Sequence, residues 1–85
     1  MPYCVYILIC TGGTFYTGYT KNLNARMRQH MSGKGARYTR IHKPKKIAYT
    51  EEFTSRAKAM LRERSIKRLN HRQKLQLIKR QSKQS

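Results

Sequence analysis

At 85 residues, with 20 Lys and Arg against 3 Asp and Glu, the chain is one small domain carrying a formal charge of +17. Leu, Ile, Val and Phe together fall under the roughly 20% at which a highly charged composition reads as disordered, yet here these residues cluster instead of scattering. The length argues against a large internal cavity or bulky cofactor, and no apolar run approaches the roughly 20 residues of a membrane span.

Residues 3–10, YCVYILIC, are rich in β-branched and aromatic types and bounded by Pro2 and Thr11-Gly12-Gly13. They predict a strand, central in its sheet because both faces are apolar. The two glycines and the following FYTGYT predict a hairpin turn and a returning strand. Leu23, Met27 and Met31 at four-residue spacing predict a helix face, with Asn22 or Thr20 as its cap. Residues 33–40, GKGARYTR, read as a cationic loop. A third strand is expected around Ile47 to Phe53, then a helix capped by Thr54 or Ser55 and carrying Ala57, Met60, Leu61 and Leu69. Asn70-His71 interrupts it before a short helix with Leu75, Leu77 and Ile78. The order β-β-α-β-α-α predicts an α+β fold, a three-stranded antiparallel sheet flanked by helices. Residues 1–79 form the domain and 80–85 a basic polar tail, frayed from about Lys79 onward.

Cys4 and Cys10 would lie roughly 20 Å apart in one strand at about 3.3 Å per residue. That exceeds the about 4.4–6.8 Å between disulfide-linked Cα atoms, so two free thiols are expected. No Cys/His spacing suits zinc. With Met1-Pro2 and no basic leader before the apolar run, the expected location is the cytoplasm, in soluble form.

A surplus of 17 positive charges is self-repelling and calls for a polyanionic partner. Nucleic acid fits best, since each neutralised phosphate releases counterions. A membrane surface would need a broad apolar helix face opposite the lysines. The cationic loop, with Lys34, Arg37 and Arg40 around Tyr38, suits backbone gripping and base stacking. Lys21, Arg28 and Lys67 extend the basic surface. The loop lacks the Lys-Ser/Thr ending of a phosphate-binding loop, so no nucleotide cofactor is expected.

With three acidic residues the search for chemistry is short. Glu51 and Glu52 are adjacent in a strand and point to opposite faces. Glu63 has Met60 and Ile66 three residues to either side, so it sits beside a packing face, where a metal ligand would be placed. The same position fits an ordinary i,i+4 ion pair with Lys67, and spacing does not choose between the two. Arg26 and His30, also i,i+4, fit a phosphate clamp with a proton shuttle, although among so many arginines a solvated basic face is the better reading of any one of them. Tyr6 and Tyr16 lie on adjacent strands and can meet on one face, either as packing or to orient a water.

In order, Cys4-Val5-Tyr6, Tyr16-Thr17-Gly18, Asn22-Leu23 with Arg26 and His30, and Glu63 within residues 57–69 resemble the GIY-YIG nuclease domain. The phrases YTGYTKNLNARMRQH and GKGARYT look like small stand-alone members related to structure-specific DNA nucleases. The resemblance spans residues 3–78. It departs at Cys4 for the first Gly, at Tyr19 where many relatives have Lys, and at Leu75 where several have Asn. It implies a DNA endonuclease using one Mg²⁺ or Mn²⁺ on Glu63, with Arg26 stabilising phosphoryl charge. Tyr6 would orient or deprotonate the attacking water, Tyr16 support it and His30 assist. Specificity would rest on DNA structure or a protein partner. The competing readings are a non-catalytic basic nucleic-acid binder that retains the fold and, further off, a peripheral membrane protein.

Overall fold

A computed structural model describes residues 2–83. The elements run β1 (Tyr3–Cys10), a single 3-10 turn (Thr11–Gly13), β2 (Phe15–Thr20), α1 (Leu23–Met31), α2 (Arg37–Ile41), β3 (Pro44–Phe53), α3 (Arg56–Lys67) and α4 (His71–Lys83). The three strands form one antiparallel sheet in the order β2-β1-β3.

The central place of β1 follows from its two apolar faces, because only a strand covered on both sides keeps successive residues dry. Val5, Tyr6, Ile7 and Leu8 are all buried. Alternation sends Val5 and Ile7 to one face, where they pack with Tyr49, Ala59, Ile66 and Ile78 from β3, α3 and α4. It sends Tyr6, Leu8 and Cys10 to the other, against Tyr16, Leu23, Met27 and Tyr38. Helices thus cover both sides of the sheet, and two small cores replace one large one. Cys4 and Cys10 are free thiols.

The connections carry ordinary stop and start chemistry. Gly12 and Gly13 both take positive φ, which turns β1 into β2. Asn22 caps α1 by accepting from the Ala25 amide at 3.0 Å, while Thr20 Oγ1 accepts from the Asn22 amide. Ser55 caps α3 through the Lys58 amide. Asn70 and Gln73 form a reciprocal box at the start of α4, each side chain accepting from the other's amide.

The structure differs from the sequence expectations in several places. Residues 37–41 of the cationic loop form the helical turn α2. Strand β3 begins at Pro44, three residues before Ile47; a proline is tolerated as a strand's first residue, and the exposed Lys45 and Lys46 suit the unpaired edge. Helix α3 ends at Lys67, before Leu69. Met31 and Leu61 are mostly exposed, at 62% and 65%, and Ala57 is exposed too, so none of them is core. Helix α4 continues through Lys83, taking in residues expected to fray. Its amphipathic turn holds Ile78 in the core, and the Gln81 side chain bonds Thr50 in both directions, accepting at 3.1 Å and donating at 2.5 Å. Residues 84 and 85 of the tail lie outside the described residues. Among the described residues no helix is long and apolar enough to cross a membrane.

Candidate active site

Four of the five residues singled out for chemistry line one cleft. Tyr6, Tyr16, Arg26 and Glu63 meet there from β1, β2, α1 and α3, together with Tyr3, Gly18, Tyr19, Thr20, Lys21, Gln29 and Arg56.

Gly18 makes this convergence sterically feasible. It pairs with Tyr6 across the strands, and a Cβ at position 18 would stand 2.6 Å from the Tyr6 hydroxyl and 2.8 Å from Cζ. The tyrosine ring therefore lies over the one residue that leaves it room. Tyr16, two residues earlier on β2, places its ring centroid 6.4 Å from that of Tyr6.

His30 is not in the cleft. Its i,i+4 relation to Arg26 brings the two to neighbouring positions, but Arg26 turns to the opening while His30 is buried, 1% exposed, behind Tyr6. Its Nε2 is 2.9 Å from the Tyr6 hydroxyl and its Nδ1 is 2.7 Å from Thr39 Oγ1. It touches the site through Tyr6 and, edge-on at 5.3 Å between ring centroids, through Tyr16. Arg26 donates from Nη1 to Gln29 Oε1 at 2.8 Å, which holds the guanidinium one turn along its own helix.

Burial, partly offset by the Arg26 guanidinium, pushes the Tyr6 phenol up to about 12. Burial, helped by the Arg26 charge, pushes His30 below its ordinary 6.5. At neutral pH the phenol is protonated and the imidazole uncharged. The unfolded chain therefore binds the extra proton between pH 6.5 and the lower native value, so stability falls as pH falls through that window. On the alkaline side the unfolded phenol ionises first, and stability falls from pH 10 toward 12. Denaturant midpoints measured from about pH 8 down to about pH 5 are expected to decline in the wild type and to decline less in His30→Gln. Equal slopes in the two proteins would contradict a buried neutral His30.

Glu63 is 17% exposed at its side chain, and its nearest cation is Lys67 Nζ at 3.6 Å, beyond hydrogen-bond reach. Both sequence readings of Glu63 are thus present at once: the ion pair exists, and the carboxylate faces the cleft. Lys67 is half exposed, and so loose a surface pair is worth at most about 1 kcal/mol. It is no barrier to a better cation. Glu51 is occupied elsewhere, by Arg62 at 2.9 Å and the Tyr49 hydroxyl at 2.8 Å. Among the described residues no three His, Cys, Asp or Glu side chains gather. A donor set of one carboxylate does not suit zinc or a two-metal centre. It does suit a hard divalent cation that keeps most of its waters.

The remaining basic residues divide by location. Lys21 lines the cleft, its Nζ 5.6 Å from the Tyr3 ring centroid. Arg28, Lys34, Arg37 and Arg40 are exposed on α1, the following loop and α2. Tyr38 is half-buried, stacked on Tyr16 at 5.9 Å and against His42 at 4.7 Å, so its ring is engaged in packing. Arg56 was not legible as a site residue. From the first turn of α3 it enters the cleft and donates from Nε to the Tyr19 hydroxyl at 3.3 Å. It brings a cation beside Tyr19. Gln29 was missed as well, because its role depends on where Arg26 points.

The model of the GIY-YIG catalytic domain matches residues 2–76. A UPF0213 protein of Staphylococcus epidermidis is 46% identical over 74 residues, covering 87% of this chain and 90% of that protein. The solution NMR structure of the UPF0213 protein BH0048 from Bacillus halodurans is similar at a TM-score of 0.60 and 44% identity, covering 93% of this chain and 84% of that one. That of protein EF2693 from E. faecalis reaches a TM-score of 0.65 at 37% identity over the same shares. Motif order, fold and likeness along nearly the whole length agree, and this chain belongs to the GIY-YIG catalytic domain family.

Proposed function

We propose that this protein is a metal-dependent DNA endonuclease of the cytoplasm that hydrolyses phosphodiester bonds with one Mg²⁺ or Mn²⁺, acting on branched or flapped DNA in repair or recombination. The observation that carries this reading is the meeting of Tyr6, Tyr16, Arg26 and Glu63 in one cleft of a strongly basic chain.

Glu63 would hold the cation, which when bound supplies positive charge to the scissile phosphate and the leaving 3′-oxygen. Arg26, already oriented by Gln29, stabilises charge developing on the phosphoryl oxygens. Tyr6 orients the attacking water and takes its proton, with His30 behind it to receive the phenol's own. Tyr16 packs beside Tyr6 and narrows the space left to that water. Lys21 and Arg56 take flanking phosphates within the cleft. Arg28, Lys34, Arg37, Arg40 and Lys67 grip backbone beyond it, without reading sequence. Selectivity for DNA structure then comes from the shape that lets a backbone reach the cleft, or from a protein partner.

The test is cleavage of labelled linear, flapped and four-way DNA by the wild type with Mg²⁺, Mn²⁺ or EDTA. Metal-dependent cutting that is strongest on a branched substrate is expected. Binding to all three without cutting under any metal would replace this reading with that of a nucleic-acid binder that keeps the fold.

A further inference from the structure

The segment GKGARYT is prominent in the sequence, and apart from its exposed cations the cleft makes no use of it. Two of its residues close on His30 from behind. A Cβ at Gly35 would overlap His30 Nδ1 and stand 2.9 Å from its Cα, so the chain at this point lies directly against the imidazole. Thr39, itself 1% exposed, brings Oγ1 to 2.7 Å from Nδ1. The same Oγ1 is 2.9 Å from the Ala36 carbonyl.

These contacts are all satisfied together by one direction of the protons in the row. The Ala36 carbonyl, which also accepts from the Arg40 amide at 3.2 Å, lies 2.9 Å from Oγ1 and in that arrangement takes the single threonine proton. Oγ1 must then accept from His30, which places the imidazole proton on Nδ1. Nε2 is left with its lone pair, and at 2.9 Å it accepts from the Tyr6 hydroxyl. The phenol proton therefore points away from the cleft, and the phenol's own lone pairs are turned toward it.

We propose that Thr39 is a positioning residue that holds His30 in its Nδ1–H tautomer and thereby makes Tyr6 an acceptor toward the cleft. With the opposite tautomer, Nε2–H would donate to Tyr6, and the phenol proton would turn to the opening, where it would repel a water proton instead of taking it. In the proposed order the O–H bond of the attacking water breaks as its oxygen bonds to phosphorus. Meanwhile the bond from phosphorus to the 3′-oxygen breaks, and that oxygen leaves with the electron pair, taking a proton from bulk water. The attacking water's proton moves to Tyr6 Oη, and the proton of Tyr6 moves to His30 Nε2. Tyr6 ends neutral, and the imidazolium keeps Nδ1–H on Thr39. No free phenolate forms. This assignment rests on the nuclease reading given above for its catalytic consequence, but not for its hydrogen-bond direction.

The two are separable by experiment. Nitrogen NMR of the His30 ring in the wild type reads the tautomer without any substrate, and Nδ1–H is expected. Thr39→Val keeps the shape and removes the acceptor. In that variant the tautomer is expected to shift to Nε2–H, with cleavage slowed about 10- to 100-fold and DNA affinity unchanged. Thr39→Ser restores the hydroxyl and is expected to keep both the tautomer and a rate close to wild type. Nε2–H in the wild type overturns the proposal whether or not the variants fold. So does Thr39→Val with an unchanged tautomer and rate. A wild type that holds Nδ1–H but cuts no DNA overturns the nuclease reading and with it the catalytic role of Thr39, while the tautomer assignment stands.

Discussion

Glu63→Gln is expected to lower metal-dependent cleavage at least about 1000-fold, or about 4 kcal/mol at 1.36 kcal/mol per decade, with DNA affinity held within about threefold of wild type. The amide keeps the shape of the side chain and removes the charge that would hold a divalent cation. Among the described residues no other acidic group lines the cleft, and Glu51 is tied to Arg62 and Tyr49. Nothing nearby can take over. On the proposed reading affinity comes from the basic surface, of which Lys21, Arg28, Lys34, Arg37, Arg40 and Arg56 are unchanged, so it is expected to be spared. Folding is spared too, since the only ion pair lost is the loose one to Lys67. Single-turnover cleavage and filter binding on the same flapped substrate measure both quantities. Wild-type cutting by this variant in Mg²⁺ would remove Glu63 from the mechanism.

The second large effect comes from one methyl group. Gly18→Ala places a Cβ 2.6 Å from the Tyr6 hydroxyl and 2.8 Å from its Cζ, contacts that cannot persist without movement. Neither neighbour moves freely: Gly18 is bound in the ladder opposite Tyr6, and Tyr6 is 1% exposed with its hydroxyl on His30. Overpacking of this kind costs about 1–3 kcal/mol. A displacement of the hydroxyl by about 1 Å is worth about 100-fold in rate. Both losses are expected in Gly18→Ala, read by chemical denaturation and by single-turnover cleavage. Tyr6→Phe removes the nearest clashing atom, so Gly18→Ala should destabilise that background less than it destabilises the wild type. Equal destabilisation in the two backgrounds would place the strain elsewhere.

What the chain's local chemistry determines is the architecture. An eight-residue stretch apolar on both faces must lie between neighbours, and β1 is indeed the middle strand. Paired glycines make the hairpin, while Asn22 and Ser55 start the helices where their side chains reach the orphan amides. The motif residues were legible as an ordered set, by resemblance, because each stands within a predictable element. Properties that depend on side-chain direction were not legible. Spacing alone pairs Arg26 with His30, yet packing turns one to the cleft and buries the other behind Tyr6. Tyr38 looks like a free stacking platform in sequence, and in the fold Tyr16 occupies its face.

Arg56 and Thr39 were invisible for a related reason. Their importance lies in partners 37 and 9 residues away, Tyr19 and His30, and no local pattern encodes such a meeting. Periodicity and capping act over one or two turns of chain, so sequence decides which elements form and which faces are apolar. Which polar atoms then face each other, and which way each proton points, is decided only when sheet and helices close on one another. There the cost of leaving a buried donor or acceptor unpaired selects a single arrangement, and in this protein that arrangement runs from the cleft through Tyr6 and His30 to Thr39.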